Sequence, residues 1–406
     1  MLGWLKTRRA PEQPRSTAPV LPLDLSDPAF VADPYPTYEW LRENCPVVEL
    51  TGGGYLLTRH ADIRAAFTNP ALGNAPSRFS TLAARNAGKY VAADLAAHIP
   101  PFLDGDDHKP VRQMVSRSFF NAFKGLSGEL DVLAREHVAK LNAGDDLIRV
   151  GSQLFSLASM MRFCGVEAEP EQMKRLTQAF FHLFAPLKDP AVFTEVNNAL
   201  SEFRAVLASA LEAGPPKGSL LAELRDFQSK NADITDAQIV DNCLLVFADG
   251  VENIEAGAAS LMLVFEQADL WGALERGDMD MELAVREGLR LQTPAQLVPR
   301  VARTSFEIGG VAIKKDMPVF LALASGNRDE SVFAKSGAFD PGRDPAFVLT
   351  FGQGRHRCIG EPLAIAQLVA FMGAIVAARL RPQHMDISYQ PRVGHRWPDR
   401  MLLKKV

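Results

Sequence analysis

The stretch from Thr235 to about Phe265 constrains the fold most. Thr235-Asp236-Ala237-Gln238 fits a capping box, in which threonine caps a backbone N–H and glutamine reaches back to the cap residue. Ile239, Cys243, Val246, Phe247, Gly250, Ile254 and Gly257 then recur at three- and four-residue steps, the period of one buried helix face. A helix this long and apolar on most sides needs a large body around it, so it is expected to cross the centre of the molecule. The chain can supply that body: it has 406 residues, 47% of them hydrophobic and 23% charged, as in ordinary globular proteins.

Short β-rich runs flank the helical region. Pro46–Leu50 and Tyr55–Thr58 enclose Gly52-Gly53-Gly54, and Phe306–Ile308 and Val311–Ile313 enclose Gly309-Gly310, so each pair reads as a hairpin. Val319-Phe320-Leu321 follows the second. About two hundred residues between these units carry helical patterns. Length alone allows two or three domains, but no internal repeat or low-complexity linker divides the chain. The predicted organisation is a flexible tail, residues 1–27, then one mainly α domain with a small β region, residues 28–406.

Several function classes are disfavoured. A net charge of −4 does not suit a nucleic-acid binder, so any electropositive site must be local. Cys45, Cys164, Cys243 and Cys358 are widely separated and form no CxxC pair, which argues against a disulfide framework or a zinc site and points to a reducing cytoplasm. The tail has no apolar core of signal-peptide type, although Lys6, Arg8 and Arg9 would also suit targeting or an anionic surface. Leu363–Ala378 is apolar but interrupted by Gln367, and reads as a buried helix rather than a bilayer span.

The densest chemical signal is Phe351-Gly352-Gln353-Gly354-Arg355-His356-Arg357-Cys358-Ile359-Gly360, followed by Glu361-Pro362-Leu363-Ala364. Glycines let such a loop approach a flat partner closely. Pro362 starts a helix expected to run to Leu380, which places the Cys358 sulfur near its positive end, and Arg355 and Arg357 add cationic charge. Both effects are expected to favour a thiolate. An isolated cysteine after a Gly-rich turn would read as a buried structural residue, but the complete run resembles the cysteine-loop signature of the cytochrome P-450 family, Phe-Gly-x-Gly-x-His-x-Cys-x-Gly.

That resemblance, which extends from about Asp27 to the C-terminus, implies a single-domain fold holding haem b, iron protoporphyrin IX, between the central helix and the cysteine loop. Cys358 is then the metal ligand, and Phe351, Gly352, His356 and Gly360 shape the cofactor-binding loop. Glu287 and Arg290 resemble the family's Glu-x-x-Arg element, with Arg343 as its partner. His108 and Arg112, expected on a short helix, resemble the clamp on the haem propionates. Arg300 lies where another propionate-binding arginine is expected, with Arg303 as the competitor if the register slips; planar guanidinium is the fitting donor to buried carboxylates. Asn327-Arg328-Asp329 also looks familiar but is assigned no chemistry.

In the family's oxygen-activating helix the usual run is Ala/Gly-Gly-x-Asp/Glu-Thr. Here it is Asp249-Gly250-Val251-Glu252-Asn253. The catalytic set implied by the resemblance is Gly250, which would loosen the helix where dioxygen must fit, Glu252, which would relay protons, and Asn253. An amide can donate a hydrogen bond but cannot pass a proton on as the usual threonine hydroxyl does. Asn253 either positions water and oxygen, or marks a reaction with altered proton delivery. A charge at Asp249 on an apolar helix must be solvated at a cavity edge or paired with a cation.

Thr293–Val298 is expected to wall the distal pocket and Phe79–Phe102, with Leu82, Tyr90, Val91 and Ile99, to form a lid. These are mostly apolar, which points to a hydrophobic substrate of small to moderate size. The run Ala248–Asn253 is faintly similar to those of bacterial family members in terpenoid pathways. The activity implied is a haem-thiolate monooxygenase. Its electrons would pass from NAD(P)H through a reductase and a ferredoxin-type partner docked near Arg355 and Arg357, with neither nucleic acid nor a membrane span involved. Alternatives are oxidative coupling or peroxide-driven oxidation on the same fold, and a haem sensor or carrier without turnover.

Overall fold

The computed structural model describes residues 19–74, 88, 90–126, 128–181 and 190–406. Its axis is the predicted central helix, Asp236–Gln267. The Thr235 hydroxyl accepts from the Gln238 backbone at 3.2 Å while the Gln238 side chain accepts from the Thr235 backbone at 2.9 Å, closing the capping box. Around it pack the helices Gln153–Cys164, Pro190–Glu212, Met281–Leu291 and Glu361–Ala377. Phe247, Ile254, Leu261, Phe371 and Ile375 belong to this one large apolar core. The wide apolar perimeter of the central helix is therefore explained by neighbours on several sides.

The helix after the cysteine loop ends at Ala377, short of Leu380. Arg379 takes a left-handed φ of 55°, and the chain leaves as a strand, Leu380–Pro382, paired antiparallel with Leu403–Lys405. The helix carrying His108 and Arg112 is not short: it spans Gly105–Leu126. Pro110 lies inside it, but burial of Met114, Phe119, Ala122 and Leu126 sustains the helix well beyond that point.

Both predicted hairpins form. In chain order the remaining strands are β1 (Val47–Glu49), β2 (Tyr55–Leu57), β3 (Leu72–Gly73), β4 (Leu297–Ala302), β5 (Phe306–Ile308), β6 (Val311–Ile313) and β7 (Pro318–Ala322). β5 and β6 pair alone, while the five-stranded sheet has the order β1-β2-β7-β4-β3. Only β2 and β7 run parallel in that sheet. β4 was not foreseen, because Pro299 lies within it and proline lacks the N–H that a ladder needs. β3 pairs only with Val301 and Ala302, so β4 is an edge strand at Pro299, where that loss is tolerated.

The Glu-x-x-Arg element forms a buried brace between helix and loop. Arg290 donates two bonds to the Glu287 carboxylate, at 2.8 and 2.7 Å, and Arg343 reaches the same carboxylate at 3.3 Å. Further guanidinium bonds go to the carbonyls of Asn327 and Ser336. A fully buried arginine is sustained only by this degree of satisfaction. Asn327, which carried no expectation, holds the segment leading to the cysteine: its side chain bonds Thr293, Thr350 and the Leu349 backbone.

Candidate active site

Gly352 and Gly354 turn the cysteine loop with φ of 66° and 73°, values that a side chain would strain. Gly354 also lies so close to the Phe67 carbonyl that a Cβ would stand 3.1 Å from it. The Cys358 backbone N–H donates to the Phe351 carbonyl at 2.9 Å, and the Gly360 backbone bonds to the sulfur. Gly360 is the N-cap of Glu361–Ala377, with Pro362 in the first turn.

The expectation that Arg355 and Arg357 favour a thiolate is not met in the protein alone. Burial, then the Asp249 carboxylate, push the Cys358 thiol up to about 11; the lowering influences are the Gly360 bond and Arg112. Arg357 is instead tied to Glu361, at 3.1 and 2.8 Å, and Glu361 itself raises the thiol. A positive partner at the sulfur is what would make the thiolate favourable.

Beside the loop stands a group of donors, three of which, His108, Arg112 and Arg300, have no acid partner among the described residues. The His108 and His356 rings lie 4.2 Å apart, and His108 Nε2 is buried with no hydrogen-bond partner. Burial, and then His356, hold His108 down at about 4. His356 contacts Asn74 at 3.3 Å and Asp104 at 3.2 Å. Arg112 donates to the Arg357 carbonyl but to no carboxylate among the described residues. Arg300 is buried, bonds only the Pro299 carbonyl at 2.8 Å among the described residues, and lies over the Phe67 ring at 5.6 Å; desolvation depresses it to about 10. Arg303 differs: it pairs with Asp104 at 2.6 Å. Asp104, which the sequence did not single out, thus engages both Arg303 and His356.

On the central helix, Asp249 and Asn253 sit one turn apart. Asn253 Nδ2 contacts the Asp249 carbonyl at 3.3 Å, leaving its buried Oδ1 unpartnered. Asp249 and Cys358 both retain exposed surface, yet desolvation dominates both groups and the Asp249 charge acts on the sulfur. Their exposed faces therefore open onto a shared internal space rather than bulk water. Burial, and then Glu252, raise Asp249 to about 7.

Glu252 pairs with Arg392 at 2.8 Å, an arginine 140 positions along the chain that no local pattern marks. Burial still raises Glu252 to about 7. Glu255, likewise missed, is raised to about 8 by burial and then by Glu252. The helix continues through Gly250, and a Cβ there would meet the Met160 side chain at 2.5 Å. Glycine at this position permits close helix packing.

Of the expected lid, Phe79 and Leu82 lie outside the described residues. Tyr90 is exposed and Val91 half-buried, but Ile99 is fully buried in the main core and takes no part in a surface lid. In the expected wall, the Thr293 hydroxyl is used internally, donating to the helix carbonyls of Leu289 and Arg290. A cleft of about 500 Å³ elsewhere, lined by Leu133, His137, Leu157 and Met161, includes none of the chemical groups described above.

Comparison with known proteins agrees with this geometry. The family profile described as cytochrome P450 matches residues 279–382. Cytochrome P450 BJ-3 of Bradyrhizobium diazoefficiens is 29% identical over 87% of this chain and 89% of its own length. Linalool 8-monooxygenase of Pseudomonas putida is 28% identical over 85% of this chain and 89% of its own. The crystal structure of CalO2 superimposes with a TM-score of 0.85 at 24% identity, covering 95% of this chain and 99% of that one.

The family profile and the named bacterial relatives support an oxygen-incorporating oxidoreductase. Together with the structural neighbours they support a bacterial-type cytochrome P450. Haem b is the cofactor of this family, and the side chains fit it: an accessible cysteine sulfur faces the cavity, and the acid-free donors His108, Arg112 and Arg300 suit a group bearing two carboxylates. Among the described residues no helix is long and apolar enough to cross a membrane.

Proposed function

We propose that this monooxygenase inserts one oxygen atom of dioxygen into a hydrophobic small molecule, a terpenoid being the first class to screen. Its electrons come from NAD(P)H through a ferredoxin-type partner. The observation carrying this reading is the Cys358 sulfur opening onto an interior space opposite the central helix, beside donors that lack acids. Haem, when bound, supplies the dioxygen-activating chemistry.

The chain's own residues set its conditions. Cys358 would hold the haem iron, and His108, Arg112, Arg300 and His356 would hold its carboxylates; Arg303, already paired, would leave that task to Arg300. Glu252, raised to about 7 and tethered to Arg392, can release and recover a proton near neutrality. Asn253 keeps one amide N–H beyond its bond to the Asp249 carbonyl, with which it would position a water or an oxygen atom. The terpenoid suggestion draws on the apolar surroundings of the central helix and on the likeness to linalool 8-monooxygenase.

Two measurements test the reading. The reduced carbon monoxide complex should absorb at the red-shifted position of thiolate ligation, and Cys358→His should lose that band while retaining haem. An unchanged spectrum in Cys358→His would remove Cys358 from its role. With a reconstituted ferredoxin and reductase, NAD(P)H consumption should rise with a terpenoid that shifts the haem spin state. Product formation from hydrogen peroxide alone, with no response to the reductase chain, would instead favour peroxide-driven oxidation.

A further inference from the structure

The helix Gln153–Cys164 is apolar around almost its whole circumference. Between Leu154 and Met161 the only polar residues are Ser156 and Ser159, and both hydroxyls donate to carbonyls of the same helix, at 3.0 and 2.9 Å. A helix of this kind is expected to be covered on every side. One face is: Phe155 stacks on Phe371 at 5.1 Å and Ser159 accepts from Gln367 at 2.6 Å, so the helix Glu361–Ala377 closes it. Another face stays open. Leu154, Ala158 and Met161 are only half-buried there and, over Leu157, line the cleft of about 500 Å³. That volume is within the range of about 300–1,000 Å³ of small-molecule sites.

The second wall is the helix Leu130–Val138, which contributes Leu133 and runs antiparallel to the first. At one end Arg162 is tied to Glu129 at 2.6 and 3.2 Å; at the other the His137 ring lies 6.2 Å from that of Phe155. His137 commits Nδ1 to the Leu133 carbonyl at 2.8 Å, which leaves Nε2 for another partner. Lys140, on the same side, is exposed and makes no ion pair among the described residues. No carboxylate lines the cleft. Its floor is thus aliphatic along its length, and its uncommitted charge is positive and gathered at one end.

We propose that this cleft is a second binding site, separate from the haem cavity, for an amphipathic carboxylate of the medium-chain fatty-acid type. The alkyl chain lies along Leu154, Ala158 and Met161, where it covers apolar surface that the fold leaves open. The carboxylate meets Lys140 and His137. A neutral alcohol of the same length gains the first contact without the second, and an alkylammonium is repelled by Lys140. None of Cys358, His108, Arg300 and Glu252 lines the cleft, so the site stands independently of the monooxygenase reading.

The test is a titration of the haem-loaded protein, carrying methyl-13C methionine, with decanoate, decanol and decyltrimethylammonium at low ionic strength. The Met161 methyl resonance, identified by its loss in Met161→Leu, reports the cleft, while the haem spin state reports any binding in the haem cavity separately. Decanoate should move the Met161 resonance and bind roughly fivefold more tightly than decanol, the upper end of what an exposed ion pair contributes. Decyltrimethylammonium should bind more weakly than decanol. Lys140→Glu should remove the preference for decanoate while the affinity for decanol stays within about twofold. Ala158→Trp, which fills the cleft, should weaken both ligands and leave the carbon monoxide band of the haem unchanged. A Met161 resonance unmoved by decanoate, equal affinities for decanoate and decanol, or a preference that survives Lys140→Glu would overturn the proposal. A resonance that moves with protein concentration instead would show a second copy of the chain covering the cleft, and would overturn it too. A normal carbon monoxide band beside any of these results defeats the second site alone and leaves the haem-thiolate reading standing.

Discussion

Arg300 and Arg303 stand three residues apart and serve opposite ends. Arg303 spends its charge on Asp104 at 2.6 Å, while Arg300 is buried over Phe67 with no acid of its own among the described residues. A desolvated guanidinium left in that condition is poised for an anionic ligand. Arg300→Ala and Arg112→Ala should therefore weaken haem retention by about 3–5 kcal/mol if each leaves a buried carboxylate unpaired. Arg303→Ala should cost less. Transfer of haem to apomyoglobin measures the order, and a ranking led by Arg303→Ala would exchange the two assignments. Residues 252 and 253 separate by another readout. Glu252→Gln should slow turnover with an altered solvent isotope effect, because it removes a titrating group. Asn253→Ala should lower the product formed per NAD(P)H and raise the hydrogen peroxide released. Full coupling in Asn253→Ala would make Asn253 a packing residue.

The central helix carries acids at 249, 252 and 255, each shifted upward mainly by burial. Glu255 gives the clearest consequence for stability. Its proton is held more tightly in the folded chain, with a value of about 8 against an ordinary 4.5. The contribution is therefore most favourable at low pH and is lost progressively as pH rises from about 4.5 to about 8. Unfolding should show a loss of roughly a few kcal/mol across that window. Glu255→Gln keeps an acceptor for Gln153 but has no charge to bury, so its stability should fall much less between pH 5 and pH 8.5. Thermal unfolding of both haem-loaded proteins at the two pH values checks this, and parallel losses would show that Glu255 is not the responsible group.

At the scale of the whole molecule, the face around the cysteine loop is the candidate surface for electron delivery. Arg355 and Arg357 are both exposed, but Arg357 shares Glu361 with Arg286, at 2.8 and 3.2 Å respectively. Among the described residues no ion pair of Arg355 occurs, so its charge is the more available to an acidic partner. Arg355→Glu should slow iron reduction by a ferredoxin severalfold at low salt, and Arg357→Glu should do so less. Rising ionic strength should erase the difference, since exposed charges act through the association rate and are screened within about 8–10 Å. Stopped-flow reduction at two salt concentrations decides it; rates indifferent to both salt and charge reversal would exclude electrostatic docking on this face.

The sequence by itself determined the parts whose information is local. The capping box at Thr235, the stripe along the central helix, the Gly-Gly hairpins and the cysteine loop each depend on residues a few positions apart, where backbone geometry makes spacing into shape. The Glu287–Arg290 pair was legible for the same reason, and its third member, Arg343, came from family resemblance. Only the tertiary structure decided which charges were left without partners. Arg392 reaches Glu252 from the far end of the chain, Asp104 selects Arg303 over Arg300, and Glu361 engages Arg357. It also placed Asp249 across from Cys358 and made burial, rather than the helix end or the nearby arginines, the dominant influence on the thiol. Propensity and spacing act along the chain, but desolvation and pairing depend on what folding brings alongside each group.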